Sequence, residues 1–402
     1  MRCCDRREES ALAYLDHMKK YLTKSHRPKI LVGMSGGVDS SVAAALLVEQ
    51  GYDVTGGFIK NWSDTKDLWT GECEWRGERR DALRVAAKLG IPLLTFDFEN
   101  DYRARVLDRM FREYESGITP NPDVLCNEEI KFGLFFEAAI KLGFDGIATG
   151  HYARVRGAGH HPLPLLSEEG LGRWEPDPNA HLLKAFDREK DQSYFLHRVS
   201  QKALSKSLFP IGELPKAEVR LLATHYSLPT ANKPDSQGIC FVGKVDFHEF
   251  LRKKIKPQPG DIVTPEGEVI GAHDGLDAYT IGQRHGLRVS KKGKTWYVAG
   301  KDRAKNRLIV VSDREHPLLY RDRVTLRDVH WIAGRPTDPH IEVAVRYHAE
   351  LLPGVLDGDS IRLDRSAWAP APGQSAVLYQ DDECLGGGFL AEEGIDSHKR
   401  EL

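Results

Sequence analysis

The stretch Ile30–Leu47, ILVGMSGGVDSSVAAALL, constrains the fold more than any other part of the chain. KILVGM is a short apolar run that reads as a buried strand, and Ser40–Gln50 is a strong helix former that Gly51 can stop. Between them, SGGVDSS fills a strand-to-helix turn with glycines and serines. Successive backbone N–H groups in such a turn form a nest ahead of a positive helix end, which suits a phosphate. Gly36 and Gly37 permit close backbone approach, and Ser35, Ser40 and Ser41 can add hydroxyls. The loop nevertheless lacks the Gly-Lys-Ser/Thr ending with which a lysine grips a γ-phosphate. Asp39 is an unusual neighbour for phosphate unless it positions Mg2+ or caps the helix.

The alternation continues downstream. YDVTGGFI supplies a second strand, Glu78–Leu89 a helix, IPLLTFDF a third strand and Asp101–Ser116 another helix. IKFGLFFEAAIKLG is helical, and FDGIATGHY is a strand running into a loop. Strands alternating with helices of this length predict an α/β fold with a doubly wound parallel sheet. After His151 the pattern changes. Residues 157–180 are rich in Gly and Pro and read as a surface loop or hairpin excursion. Helical segments follow from Gln192 to about Lys254, interrupted by FPIGELPKAEV, where Pro215 can open a new helix. From Pro257 onward, short alternating runs separated by Gly, Pro and Asp predict one or two small β-barrels or sandwiches. The expected division is an N-terminal extension over 1–28, a catalytic domain over 29–205, a central helical and β domain over 206–310, and a C-terminal β-barrel over 311–402.

At 402 residues, with 41% hydrophobic and 29% charged residues, the chain has room for several cores and the balance of a soluble globular protein. No apolar run is long enough to span a membrane, and the opening MRCCDRREES leads into no signal-like core. A cytoplasmic, bacterial-type setting is expected rather than an organellar one. The formal net charge of −2 excludes global basicity but not a local RNA-binding stripe. RKKIK, SKKGKTW and KDRAKNR offer such stripes, although any one of them also reads as a solvated loop. The cysteines stand at 3, 4, 73, 126, 240 and 384 without any C-x-x-C pair. That spacing disfavours a stapled secreted domain or a closed zinc site and suits a reduced interior with one or two working thiols.

SGGVDSS resembles the PP-loop of the ATP pyrophosphatases. The resemblance implies cleavage of ATP between the α and β phosphates, with pyrophosphate leaving and AMP attached to a substrate oxygen. Amidating, citrulline-adenylating and thiolating enzymes all remain open on the loop alone. TPNPDVLCNEEIKFG and SQGICFVG narrow the choice, as do GFIKNW, DGIATGHYAR, KDQSYFL, TIGQRHGL, HPLLYRD, VRYH and PGQSAVLY. In order along nearly the whole chain, these resemble the tRNA-specific 2-thiouridylases, which act on the wobble uridine. The chemistry fits: exchanging a carbonyl oxygen for sulfur needs ATP to activate the oxygen and a persulfide to deliver the sulfur. Two cysteines then close the cycle through a disulfide.

The resemblance implies that Cys126 is the nucleophile, that Cys240 carries the persulfide, and that the two form a transient disulfide. It implies ATP contacts from Gly33, Met34, Ser35, Gly36, Gly37, Val38, Asp39 and Ser40, with Ile59 and Gly150 on the adenine side and Asp39 positioning Mg2+ or pyrophosphate. Asn121, Pro122 and Asp123 would meet a flipped target base. His151, Lys190, Asp191, Gln192, Arg346, Tyr347 and Gln374 would face tRNA, with Arg346 and Tyr347 suited to phosphate contact and stacking. The implied partners are a tRNA with a wobble uridine and an upstream persulfide donor protein, with no membrane. No metal is expected on protein thiols; an iron–sulfur cluster on Cys73, Cys126 and Cys240 is a minority reading. A PP-loop amidotransferase or small-molecule ligase, and a non-catalytic tRNA-binding module, compete with the thiolating enzyme. The long lead-in, the excursion at 157–180 and a short stretch between HGLRVS and KTWYV depart from the compact family pattern without touching the catalytic positions.

Overall fold

The computed structural model describes residues 27–63, 74–157, 176–235, 251–252, 254–289 and 293–392. The first sheet is built from β1 (Lys29–Gly33), β2 (Asp53–Lys60), β3 (Leu93–Asp97), β4 (Gly146–Thr149) and β7 (Ser207–Leu208). Its order is β3-β2-β1-β4-β7, and every pair is parallel. Strand side chains alternate between faces, so β1 serves two cores at once. Ile30 and Val32 join one apolar cluster with α1 (Val38–Glu49), α2 (Glu74–Leu89) and α7 (Lys216–His225). Leu31 points into the other, against α3 and α4. Helix α3 runs through Glu99–Tyr102, Arg103–Leu107 and Asp108–Glu115, and α4 through Pro122–Leu125, Cys126–Phe135 and Phe136–Lys141. The order reverses between β1 and β4, where the chain ends leave a crevice at the carboxyl edge of the sheet.

Two details differ from expectation. The middle segments of α3 and α4 are π-helical rather than α-helical. In α4 the wide turn brings the Glu128 carbonyl so near Gly133 that a Cβ there would lie 2.9 Å from it. Helical periodicity in the sequence does not separate i+4 from i+5 bonding, so this shift was not visible. The expected domain break at 205 also cuts through the first unit. β7 pairs with β4, and Val219 and Ala223 of α7 pack into the α1 cluster.

The second sheet is β10-β11-β8-β9, formed by β8 (Gly260–Val263), β9 (Val269–His273), β10 (Tyr297–Asp302) and β11 (Arg307–Val311). The remaining strands are β12 (Tyr320–Trp331), β13 (His340–Ala344), β14 (Leu352–Asp357), β15 (Ser360–Trp368), β16 (Ser375–Gln380) and β17 (Glu383–Leu390). They close as an antiparallel barrel because β12 pairs with both β15 and β17. β5 (Ala153–Arg156) and β6 (His181–Lys184) form the hairpin that flanks the Gly/Pro-rich excursion, most of which lies outside the described residues. β6 then pairs with β17, so a ribbon from the first unit extends the barrel sheet. Arg154 to Asp382 and Arg156 to Glu383, each at 2.8 Å, fasten that junction.

Candidate active site

The phosphate loop sits at the crevice between β1 and β4. Gly36 takes a φ of +75°, the left-handed conformation that shapes a nest, and a Cβ on it would lie 2.3 Å from the Glu78 carbonyl oxygen. Ser40 Oγ accepts from the Ser35 nitrogen at 3.2 Å, and Ser35 Oγ accepts from the Gly37 nitrogen at 3.3 Å. Gly37 is the N-cap of α1, and as glycine it brings no side-chain acceptor to the first-turn N–H groups. Those donors and the positive helix end are therefore available to an anion. Gly150 follows β4 and presses on the same turn: a Cβ on it would lie 2.5 Å from the Ser40 nitrogen. Met34 and Val38 turn their side chains into the apolar cluster, leaving only their backbone to the loop.

Asp39 is the polar centre of this region. Its carboxylate accepts from the Tyr152 hydroxyl at 2.9 Å and from Lys216 Nζ at 2.7 and 2.9 Å. Burial raises the Tyr152 phenol far above its ordinary pKa, and the Asp39 carboxylate adds to that, so the hydroxyl stays a donor. Lys216 also reaches Asp235 at 2.8 Å, and Lys190 stands 3.6 Å from the same carboxylate. Burial pushes the Asp235 carboxyl up, but the hydrogen bond and charge of Lys216, with Arg220 and Lys190, outweigh it and hold the group ionised. Lys233 donates to the Gly36 carbonyl at 2.9 Å and to Asp81 at 2.7 Å, tying the loop to α2.

A set of hydrogen bonds leads from Asp39 to Asn127, the residue after Cys126. Tyr152, bonded to Asp39, exchanges backbone and side-chain bonds with Gln192 at 2.8 and 3.0 Å. The Gln192 carbonyl accepts from the Phe195 nitrogen at 3.0 Å in α5 (Ser193–Leu196), and the Phe195 carbonyl accepts from Asn127 Nδ2 at 3.1 Å. Asn127 is the residue after Cys126. Cys126 opens the π segment of α4 with 0% exposure, in the apolar cluster that also holds Ile59, Leu125 and Ile130. α3, α4 and the sheet close over this thiol. Cys240 lies outside the described residues, as does Cys73. Among the described residues no cluster of three ligating side chains occurs, and two of the three cysteines of the iron–sulfur reading lie outside them.

The loop before Cys126 is braced from both sides. Asn121 caps α4, its Oδ1 accepting from the Asp123 and Val124 nitrogens at 3.2 and 3.3 Å, with Pro122 in the first turn. Gln374 of the barrel donates to the Thr119 carbonyl at 3.0 Å, which joins that expected tRNA-facing residue to the loop of Asn121. His151 is buried. A lysine ammonium can only donate, so its approach at 3.4 Å makes His151 Nε2 the acceptor and Nδ1–H the donor to Thr149 Oγ1 at 2.8 Å. Asp191 spends its carboxylate on the Ala185 and Ser193 nitrogens and the Ser193 hydroxyl, and burial nonetheless lifts its pKa. Arg346 donates to the Trp368 and Ala369 carbonyls and lies over the Trp368 ring, while the Tyr347 ring is 4.3 Å from that of Phe195. Of the expected tRNA-facing residues, Gln192 lies on the Asp39–Asn127 path and Tyr347 packs on Phe195 of it, while Gln374 reaches the loop of Asn121.

Sequence reasoning missed Tyr152, Lys216, Lys233 and Asp235. Lys216 lies 177 positions from Asp39, and nothing local marks it beyond Pro215 at a helix start. It missed Asn61 as well, which is buried just after β2 and has no hydrogen-bond partner for either amide atom among the described residues.

The family described as tRNA methyl transferase HUP domain matches residues 28–244. The tRNA methyl transferase PRC-barrel domain matches 248–312, and the aminomethyltransferase beta-barrel domain matches 321–390. Two relatives, from Ralstonia nicotianae and Methylobacillus flagellatus, are named tRNA-specific 2-thiouridylase and are each 47% identical to this chain. The alignments cover 90% of this chain and 96% and 99% of theirs. Among solved structures, an NMN synthetase from Francisella tularensis aligns with 57% of this chain and 74% of its own, at 18% identity and a TM-score of 0.31, too remote to carry weight. With close to half its residues identical along 90% of its length, the chain belongs to the tRNA-specific 2-thiouridylase family.

Proposed function

We propose that the protein is a tRNA-uridine 2-sulfurtransferase that converts the wobble uridine of tRNA to 2-thiouridine. Within the family, the observation that carries this reading is the hydrogen-bonded continuity from Asp39 on the phosphate loop to Asn127 beside Cys126. ATP suits the loop: the α1 end offers uncapped donors, and glycine at 36 and 150 lets the turn pack against the backbone of Glu78 and Ser40, where a Cβ would clash. The C2 oxygen of uridine attacks the α-phosphate of ATP, forming a uridine–AMP bond and releasing pyrophosphate. Backbone N–H groups of residues 33–40 hold the leaving pyrophosphate, where fixed dipoles act in a low-dielectric site. Asp39 would hold the Mg2+ that accompanies ATP, which supplies neutralising charge. Ile59 and Gly150 bound the adenine side.

Sulfur arrives as a persulfide on Cys240 from a donor protein. Its terminal sulfur attacks C2 and displaces AMP. The Cys126 thiolate then attacks the Cys240 sulfur, breaking the S–S bond, so that 2-thiouridine leaves and a Cys126–Cys240 disulfide remains. A thiol reductant returns both cysteines to the starting state. Asn121, Pro122 and Asp123 present the flipped base; His151, Lys190, Asp191, Gln192, Arg346, Tyr347 and Gln374 support the tRNA. Functionally we divide the chain into an ATP-binding unit extended to Asp235, a central tRNA-contacting unit to residue 310 and the barrel over 311–402. Among the described residues no helix is long and apolar enough to cross a membrane, and we place the enzyme in the cytoplasm.

The test is product analysis with ATP, Mg2+, a persulfide donor and unmodified tRNA. AMP and 2-thiouridine are expected, and Cys240→Ser should abolish thiolation while AMP still forms. ADP as product, or wild-type thiolation by Cys240→Ser, would overturn the reading.

A further inference from the structure

Residues 33–41 contain no lysine or arginine, yet Mg·ATP brings about two net negative charges to the loop. A backbone nest stabilises such charge but does not neutralise it. The structure supplies cations from far along the chain, and two reach the loop by different routes. Lys233 bonds the Gly36 carbonyl. Carbonyls point away from a nest of N–H groups, so Lys233 braces the outer side of the loop against Asp81. Among the described residues Lys216 Nζ bonds only side-chain carboxylates, Asp39 on the first turn of α1 and Asp235. Its side chain is 14% exposed, so the ammonium is held beside the helix end rather than trailing in water.

We propose that Lys216 is the pyrophosphate-gripping cation that the loop itself lacks. Asp39 holds Lys216 in place. With ATP bound, Asp39 would hold the accompanying metal and Lys216 Nζ would bond the oxygens of the β and γ phosphates, exchanging one anionic partner for another. Tyr152 keeps its bond to Asp39 through the change, and Asp235 keeps the ammonium near the helix end. Lysine suits this task because it is a point charge on a flexible stem, able to follow the pyrophosphate as it separates from AMP. This assignment rests on the adenylating reading above and names the residue that distinguishes ATP from AMP at that site.

The test uses full-length Lys216→Met and Lys216→Arg, titrated separately with Mg·ATP, inorganic pyrophosphate and AMP. Lys216→Met should lose at least tenfold in affinity for Mg·ATP and pyrophosphate, while AMP affinity stays within about twofold. Lys216→Arg, which keeps the charge, should recover most of the pyrophosphate affinity. Equal losses for AMP and ATP, unchanged affinity for ATP and pyrophosphate, or no recovery with arginine would overturn the assignment. Failure of the underlying reading shows elsewhere, in the wild type: ADP in place of AMP removes the adenylating chemistry, whatever the binding of Lys216→Met.

Discussion

Gly150 and Ser40 touch backbone to backbone across the crevice: a Cβ on Gly150 would overlap the Ser40 nitrogen at 2.5 Å, the Asp39 carbonyl carbon at 2.7 Å and Ser40 Cα at 2.8 Å. No flexible side chain is there to give way. Gly150→Ala must displace either β4 or the first turn of α1, at a cost of about 1–3 kcal/mol. We expect ATP-dependent AMP formation to fall by a hundredfold or more, with a lower thermal midpoint. A variant with normal turnover would mean that the two backbones separate freely and that the turn is not held for phosphate.

Tyr152→Phe removes one charge-assisted hydrogen bond to Asp39 and leaves the ring over which Lys216 lies. Such a bond contributes about 1.5–3 kcal/mol. Thermal stability should fall by no more than that, because Asp39 keeps Lys216. AMP formation should slow by roughly tenfold, the low end of that range converted at 1.4 kcal/mol per decade. A loss confined to tRNA affinity would place Tyr152 outside the ATP half of the reaction.

Cys126 has no solvent exposure, so its thiol should resist alkylation in the resting protein. With Cys3, Cys4, Cys73, Cys240 and Cys384 replaced by serine, a maleimide should modify Cys126 at least a hundred times more slowly than free cysteine. Labelling at the free-thiol rate would show that the α4 segment does not bury it.

Two buried histidines give the fold a directional pH dependence. Burial pushes the His197 imidazole down to about 3, and burial aided by the Lys131 ammonium holds His151 well below its usual range. Both are neutral in the folded chain, whereas the unfolded chain titrates near the ordinary value of about 6.5. Below that pH the unfolded state takes up protons that the folded state does not. The contribution is therefore present above about pH 6.5 and is lost as pH falls toward the folded values, at up to ~1.4 kcal/mol per pH unit for each histidine. Urea unfolding between pH 6.5 and 5 should show this slope, and His197→Gln should flatten it by about one proton. An unchanged slope in that variant would mean His197 is charged in its pocket.

How far the sequence revealed all this depended on whether the signal was local. β1, the Gly-Gly turn, α1 and the stop at Gly51 were legible because each is written in adjacent residues: apolar run, glycines, alanines, glycine. β7 was not, since two residues, Ser207 and Leu208, carry no periodicity and join the sheet only because β4 offers an open edge. The barrel strands were visible as alternating runs, but the pairing of Cys384 with Leu182 was not, because a ribbon from the first unit supplies that edge. In the site, the phosphate loop and Cys126 stood out as motifs. Lys216 and Lys233 did not, since a lysine at a helix start or in a loop looks like surface until folding carries it across to Asp39 or Gly36.

The central claim is that AMP leaves with the oxygen that sulfur replaces. An anticodon stem-loop RNA carrying 18O at C2 of the wobble uridine, turned over with ATP and a persulfide donor, tests it by mass spectrometry of the AMP. One 18O in the AMP is expected for each 2-thiouridine formed. Unlabelled AMP alongside thiolated RNA would contradict it.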